Sequence, residues 1–150
     1  MIAALHKNEY ESKDGMDIAI CRIDHQKHAL QYAGAMRPLW IVRKGQITEM
    51  KADKIPIGTK EKERAEGIIF HTQNVKPEKG DVFYIFTDGY VDQFGGENDK
   101  KFTSSKLRQL LAEVHSLDFR SQENRLREEH LKWKGDNEQV DDICVIGFML

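Results

Sequence analysis

The chain has 150 residues, 39% hydrophobic and 32% charged, which suits one domain with a core and a solvated surface. A formal net charge of −2, with Lys and Arg interspersed among Asp and Glu, leaves no basic face and excludes whole-protein attraction to nucleic acid or an anionic membrane. No stretch is long and apolar enough to span a bilayer, and Met1 to Lys7 is too short and too soon charged for a signal peptide, so a cytoplasmic protein or domain is expected.

Met1 to Tyr10 reads as the end of a helix, with Ile2 and Leu5 at helical spacing and nothing ahead of them to start it. Lys13-Asp14-Gly15 is a turn. Met16 to Ile23 alternates as a strand, Asp24 to His28 turns the chain, and Leu30 to Ala33 returns. Leu39 to Val42 is a strand after Pro38, Lys44-Gly45 a tight turn that needs positive φ, and Gln46 to Met50 pairs back. Lys51 to Gly58 is a loop, and Lys60 to Glu66 a charge run that reads as a solvated turn. Ile68 to Val75 alternates as a strand with one wet face. Asp81 to Thr87 is the most apolar strand of the chain.

The character changes after Thr87. Phe94 to Phe102 is a Gly-rich loop, which with Asp92 reads either as a substrate flap or as a plain surface loop. Ser104 or Ser105 is expected to cap a helix carrying Leu107, Leu110, Leu111 and Val114 at helical spacing. A second helix runs from about Phe119 to Trp133 with Leu126 and Leu131 inward. A turn at Gly135-Asp136-Asn137 precedes the last strand, which contains the apolar run Ile143 to Ile146 and ends the chain. Antiparallel strands, two helices and a final strand predict an α+β fold in a single domain over 1–150, with no repeat and no linker.

Two cysteines, Cys21 and Cys144, sit inside apolar runs and read as buried free thiols in strands, and no paired spacing suggests zinc. Asp17 reads as an outward strand residue, and all six His as surface residues without ligand spacing. Arg37 and Arg43 read as surface charges, and Trp40 and Trp133 as packing residues.

Two acidic turns carry the chemistry. Thr87-Asp88-Gly89 ends the run Val82 to Phe86, and Asp141-Asp142 opens the run Ile143 to Ile146. Carboxylates at the mouths of neighbouring buried strands can converge on a hard divalent cation, which takes oxygen ligands and keeps several waters. Each turn also has a plainer reading: Asp-Gly is common after a strand, and Asp141-Asp142 could be a solvated acidic turn. The strand context of the first and the two like charges of the second favour the metal.

These motifs resemble the bacterial metal-dependent protein phosphatases, the protein phosphatase 2C-like superfamily, in the branch of stage II sporulation protein E and the sigma-factor regulatory phosphatases. The resemblance rests on Lys13-Asp14-Gly15-Met16-Asp17-Ile18-Ala19, Tyr32-Ala33-Gly34-Ala35, Pro56-Ile57-Gly58, Gly80-Asp81, Phe86-Thr87-Asp88-Gly89 and Asp141-Asp142-Ile143, and spans nearly the whole chain. It implies two mainly antiparallel sheets packed as a sandwich with flanking helices, and hydrolysis of phosphoserine or phosphothreonine on a protein by water activated between two Mn²⁺ or Mg²⁺ ions. Asp88 then matches a metal-binding Asp and Asp141 the metal-binding first Asp of the terminal pair. Asp142 becomes a ligand or a hydrogen-bonding neighbour of one, and Gly89 lets the backbone pass close to the site.

The departures are as informative. The family's bridging Asp lies in an Asp-x-x-Gly-His-Gly segment, which this sequence lacks, and Gly34-Ala35 stands where Gly-His is common in this branch. The chain therefore reads as the C-terminal portion of the domain, without its N-terminal strand and helix, expected to hold one metal or none and to be poorly active or inactive. The resemblance implies a phosphoprotein substrate, possible examples being proteins like an anti-sigma-factor antagonist, in bacterial signalling. A pseudophosphatase or regulatory interaction module is the alternative. Exposed sheet surface would favour a homodimer.

Overall fold

A computed structural model describes residues 15–58 and 69–150. The expected helix over Met1 to Tyr10 and the charge run Lys60 to Glu66 lie outside the described residues. The fold is α+β, as expected: the described residues form antiparallel sheets and three helices, in two compact units.

The first unit is built on β1 (Ile18–Asp24), β2 (Ala29–Ala35) and β5 (Gln73–Val75), in the order β1-β2-β5. Ile18 pairs with Ala35 and Asp24 with Ala29, so the hairpin expected from alternation is present over its full length. Leu30 and Tyr32 are fully buried on one face of β2, and the Tyr32 hydroxyl donates to the Arg37 carbonyl at 2.6 Å. Asp17 does point outward, but it holds Arg37 at 2.6 Å. The strand expected from Ile68 is shorter: only Gln73–Val75 joins the ladder, and Ile69 is exposed. The chain before it is tied elsewhere, because the His71 amide and ring donate to or share a proton with the two Asp53 carboxylate oxygens, both at 2.8 Å.

The second unit carries β3 (Leu39–Arg43), β4 (Gln46–Met50), β6 (Val82–Phe86) and β9 (Val145–Phe148), ordered β4-β3-β6-β9. Lys44 and Gly45 take φ of 49° and 78°, the conformation a two-residue hairpin turn demands. Period-two alternation sends Trp40, Val42, Val82, Tyr84 and Phe86 to one face. Against it pack α1 (Gly89–Asp92), α2 (Ser104–Val114) and α3 (Phe119–Lys134), through Tyr90, Leu107, Leu110, Leu111, Val114 and Leu126. Burying one such aliphatic or aromatic side chain contributes about 1.5–3 kcal/mol.

Arg43 is not a simple surface charge. Its Nε and guanidinium nitrogen donate to both oxygens of Asp81 at 2.8 and 2.7 Å, and it reaches Glu78 at 2.6 Å. Burial pushes the Asp81 carboxyl up, and the Arg43 hydrogen bond, the Glu78 amide and the Arg43 charge more than offset it, so it stays below the usual carboxylate range.

Several expectations are corrected. Phe94 to Phe102 is a small hairpin, β7 (Phe94–Gly95) with β8 (Lys100–Lys101), pinned by the Gly96 amide donating to the Trp133 carbonyl at 2.8 Å and by Lys101 on Asp92 at 3.1 Å. Neither Ser104 nor Ser105 caps α2. Thr103 holds the cap position at φ 79° without a side-chain cap bond, its amide tied to the Val91 carbonyl at 2.8 Å. Asp118 does cap α3, accepting from the Ser121 amide at 3.0 Å.

Leu131 points outward at 55% exposure, while His130 is buried at 8%. The inward face of α3 is set by polar contacts: the Tyr84 hydroxyl donates to Gln122 Oε1 at 2.6 Å, the Tyr90 hydroxyl to the Leu126 carbonyl at 2.7 Å, and the Tyr90 ring lies 5.3 Å from the His130 ring. Burial, with Lys134 nearby, holds His130 below its ordinary pKa. Cys144 is exposed and outside the ladder, and Cys21 is half-buried, so neither is the buried thiol the apolar runs suggest.

Burial pushes the Tyr84 phenol up to about 12. The folded value is above the unfolded one, about 10. The stabilisation from keeping the phenol neutral is therefore complete below the unfolded value and is lost as pH rises through the folded one. Ultraviolet titration of the native protein should show Tyr84 ionising only near pH 12 and Tyr90, also pushed up by burial, later still, with the helix signal falling as they ionise. Ionisation of every described tyrosine near its ordinary value without loss of helix would contradict this.

Candidate functional site

The strand β6 ends at Phe86, paired with Val145. Beyond that pair the two chains stay joined for two more residues. The Thr87 amide donates to the Cys144 carbonyl at 3.0 Å, the Cys144 amide donates to Thr87 Oγ1 at 2.9 Å, and Thr87 Oγ1 donates to the Asp142 carbonyl at 2.8 Å. The two acidic turns are thus laced together by one hydroxyl and two amides.

Asp88 follows at the N-cap position of α1, half-buried, with its carbonyl accepting from the Asp92 amide at 2.9 Å. Its side chain makes no cap bond to α1. Gly89 is buried against the facing turn: a Cβ there would stand 2.5 Å from the Asp142 carbonyl oxygen and 3.0 Å from that of Asp141. Only glycine fits so close a backbone approach. Asp141 and Asp142 are both exposed. Asp141 Oδ1 accepts from the Asp142 amide at 2.7 Å, and the Asp141 carbonyl from Gln139 Nε2 at 2.8 Å, which together fix the shape of the turn.

The structure therefore brings the Asp88-Gly89 turn against the Asp141-Asp142 turn, about 50 residues away in sequence. The donor type suits Mg²⁺ or Mn²⁺, which are held through one or two carboxylates with waters completing the shell. Among the described residues, no group of three or more His, Cys, Asp or Glu side chains is placed to hold a metal. The carboxylate chemistry of the two turns suits such an ion, and the described residues alone do not make a complete site.

Sequence reasoning missed Thr87, Tyr90 and Gln93. Thr87 is the lace between the turns. Tyr90 anchors α1 under α3 through its hydroxyl and its edge contact with Phe102 at 5.1 Å. Gln93 is fully buried and donates to the Glu138 carbonyl at 2.9 Å, tying the end of α1 to the approach of the second turn. The available signal was position: each lies within five residues of Asp88.

Among the described residues no helix is long and apolar enough to cross a membrane. No curated protein matches the chain. Solved structures do. The chain is similar to the SiaA-PP2C domain of Pseudomonas aeruginosa, with 25% identity and a TM-score of 0.79 over 89% of this chain and 51% of that one. It is similar in fold to the Mn-presoaked phosphatase domain of the cell-fate determinant SpoIIE from Bacillus subtilis, with 17% identity and a TM-score of 0.60 over 89% of this chain and 56% of that one. The RsbU and RsbW domains of a Mycobacterium tuberculosis protein give 16% identity and a TM-score of 0.64 over 93% of this chain and 37% of that one. The chain thus spans about half the length, or less, of the solved structures it matches. The family model described as stage II sporulation protein E (SpoIIE) matches residues 2–149. This chain belongs to the SpoIIE family of PP2C-like phosphatase domains.

Proposed function

We propose that the chain is part of a metal-dependent phosphoserine/phosphothreonine protein phosphatase domain acting in bacterial signalling. The observation that carries this reading is the lacing of the Asp88 turn to the Asp141-Asp142 turn through Thr87. In this reading Asp88 and Asp141 hold Mn²⁺ or Mg²⁺, Asp142 acts as ligand or hydrogen-bonding neighbour, and Gly89 admits the facing backbone. A bound metal pair would supply an activated water and neutralise the phosphoryl oxygens. The chain's own part is to hold the two turns together: the Asp88 backbone stands at the start of α1, and the Asp141 carboxylate is held by its bond to the Asp142 amide.

The complete family site takes two ions, and this chain is expected to hold one or none. The substrate is a phosphoprotein, for which a protein like an anti-sigma-factor antagonist is one chemical fit. The setting is cytoplasmic, and a second copy of the chain is a candidate partner. The test is release of phosphate from p-nitrophenyl phosphate and from a phosphoserine protein with Mn²⁺ or with chelator. Mn²⁺-dependent turnover is expected of the protein encoded by the whole reading frame, and little or none of the 150-residue chain. Turnover of the whole protein that is indifferent to chelator would reject the reading.

A second reading is a pseudophosphatase or regulatory module that keeps the fold without catalysis. It is favoured by the missing Asp-x-x-Gly-His-Gly segment, which carries the family's bridging Asp. It requires that the whole protein bind a partner while showing no metal-dependent turnover.

A further inference from the structure

We propose that Thr87 is a positioning residue whose hydroxyl, rather than its bulk, sets how tightly the two acidic turns hold a divalent cation. The inference rests on reading these turns as a cation site and goes one residue beyond it.

An antiparallel hydrogen-bonded pair exchanges two backbone bonds, each residue's amide donating to the other's carbonyl. Thr87 and Cys144 make half of that exchange, through the Thr87 amide and the Cys144 carbonyl at 3.0 Å. In the other half the side-chain hydroxyl replaces the backbone carbonyl, accepting from the Cys144 amide at 2.9 Å. The same hydroxyl spends its single proton on the Asp142 carbonyl at 2.8 Å. The regular ladder therefore stops at Phe86 and Val145. Asp88 directly follows Thr87, and Asp141 lies one residue from the Asp142 carbonyl and three from the Cys144 amide held this way.

Removing the hydroxyl should leave the fold standing. Asp142 and Cys144 are exposed, so water can take over the released carbonyl and amide. What water cannot restore is the fixed spacing of the turns. The effect therefore belongs to cation affinity more than to stability, and this separates a positioning role from a merely structural one.

The experiment is Mn²⁺ titration of the 150-residue chain, followed by the electron paramagnetic resonance of free Mn²⁺, with thermal unfolding alongside. Thr87→Val keeps the shape and removes both hydroxyl bonds. It should weaken Mn²⁺ binding about tenfold or more, the cost usual for partners that orient metal ligands. Thr87→Ser keeps the hydroxyl and should bind within about threefold of the parent chain, inside the tenfold loss expected when an orienting partner is removed. Equal affinity of Thr87→Val and the parent, with Asp88→Asn weakened, overturns the role of Thr87 and leaves the cation site. A parent chain that binds no Mn²⁺, or whose Mn²⁺ binding is indifferent to Asp88→Asn, overturns the cation site in this chain and the role of Thr87 with it. Should Thr87→Val not fold, amide exchange in the parent decides: the Cys144 amide should exchange more slowly with Mg²⁺ added, and an unchanged rate counts against the proposal.

Discussion

Asp88→Asn should abolish Mn²⁺-dependent phosphate release by the protein encoded by the whole reading frame, while its unfolding transition stays where it was. Asn has the size and shape of Asp and can still offer one carbonyl oxygen, but it lacks the full negative charge that a hard divalent cation selects. Changing a group that merely orients a ligand costs 10–100-fold, so losing the charged ligand should lower turnover beyond about 100-fold. Stability should change far less than turnover, because Asn keeps the size of Asp and one of its carbonyl acceptors. The paired measurement matters. Lost turnover with an unmoved transition assigns Asp88 to the chemistry, whereas loss of both would assign it to the fold. Unchanged turnover would remove the carboxylate from the mechanism altogether.

The sequence revealed most where one face is wet and one dry. Alternation from Ile18 to Ile23 and from Leu30 to Ala33 marks β1 and β2, and Leu107, Leu110, Leu111 and Val114 mark the inward face of α2. It revealed least where a polar side chain does work that a hydrophobic pattern assigns to a neighbour. In α3 the apolar rule turns Leu131 inward, yet the hydroxyls of Tyr84 and Tyr90 fix the helix through Gln122 and the Leu126 carbonyl, and that rotation buries His130. The run Ile143 to Ile146 reads as one strand, but Cys144 spends its amide on the Thr87 hydroxyl and only Val145–Phe148 joins the ladder. Composition cannot reveal such a substitution, since a side-chain acceptor and a backbone acceptor look alike until the partner strand is placed.

The same limit explains what was legible of the site. Asp88 and Asp141 stand out because a carboxylate beside a buried strand must be compensated. For Gly89 the family resemblance implies a close backbone approach, whereas the local sequence alone shows only half of an Asp-Gly turn, a pair that is common for reasons of turn geometry. Its true constraint is the backbone of residues 141 and 142, which local sequence does not contain.

That constraint makes Gly89→Ala the sharper test of how the turns meet. In an unobstructed helix the exchange would stabilise by up to about 1 kcal/mol, since Ala forms helix more readily than Gly. Here the new methyl carbon would stand 2.5 Å from the Asp142 carbonyl oxygen and 3.0 Å from the Asp142 carbonyl carbon and the Asp141 oxygen, all of them backbone atoms that cannot rotate away. The turns must separate, and the separation stretches the Thr87 bonds to Asp142 and Cys144 together. Overpacking of this kind costs about 1–3 kcal/mol, enough to outweigh the propensity gain. Urea unfolding should therefore show a net loss of stability, and Mn²⁺ affinity should fall about tenfold or more as the carboxylates are pulled apart. A Gly89→Ala chain that is more stable than the parent would mean that helix propensity acts unopposed at this position. The Asp88 and Asp141-Asp142 turns would then not be in contact, and neither Thr87 nor Gly89 could serve the site assigned to them.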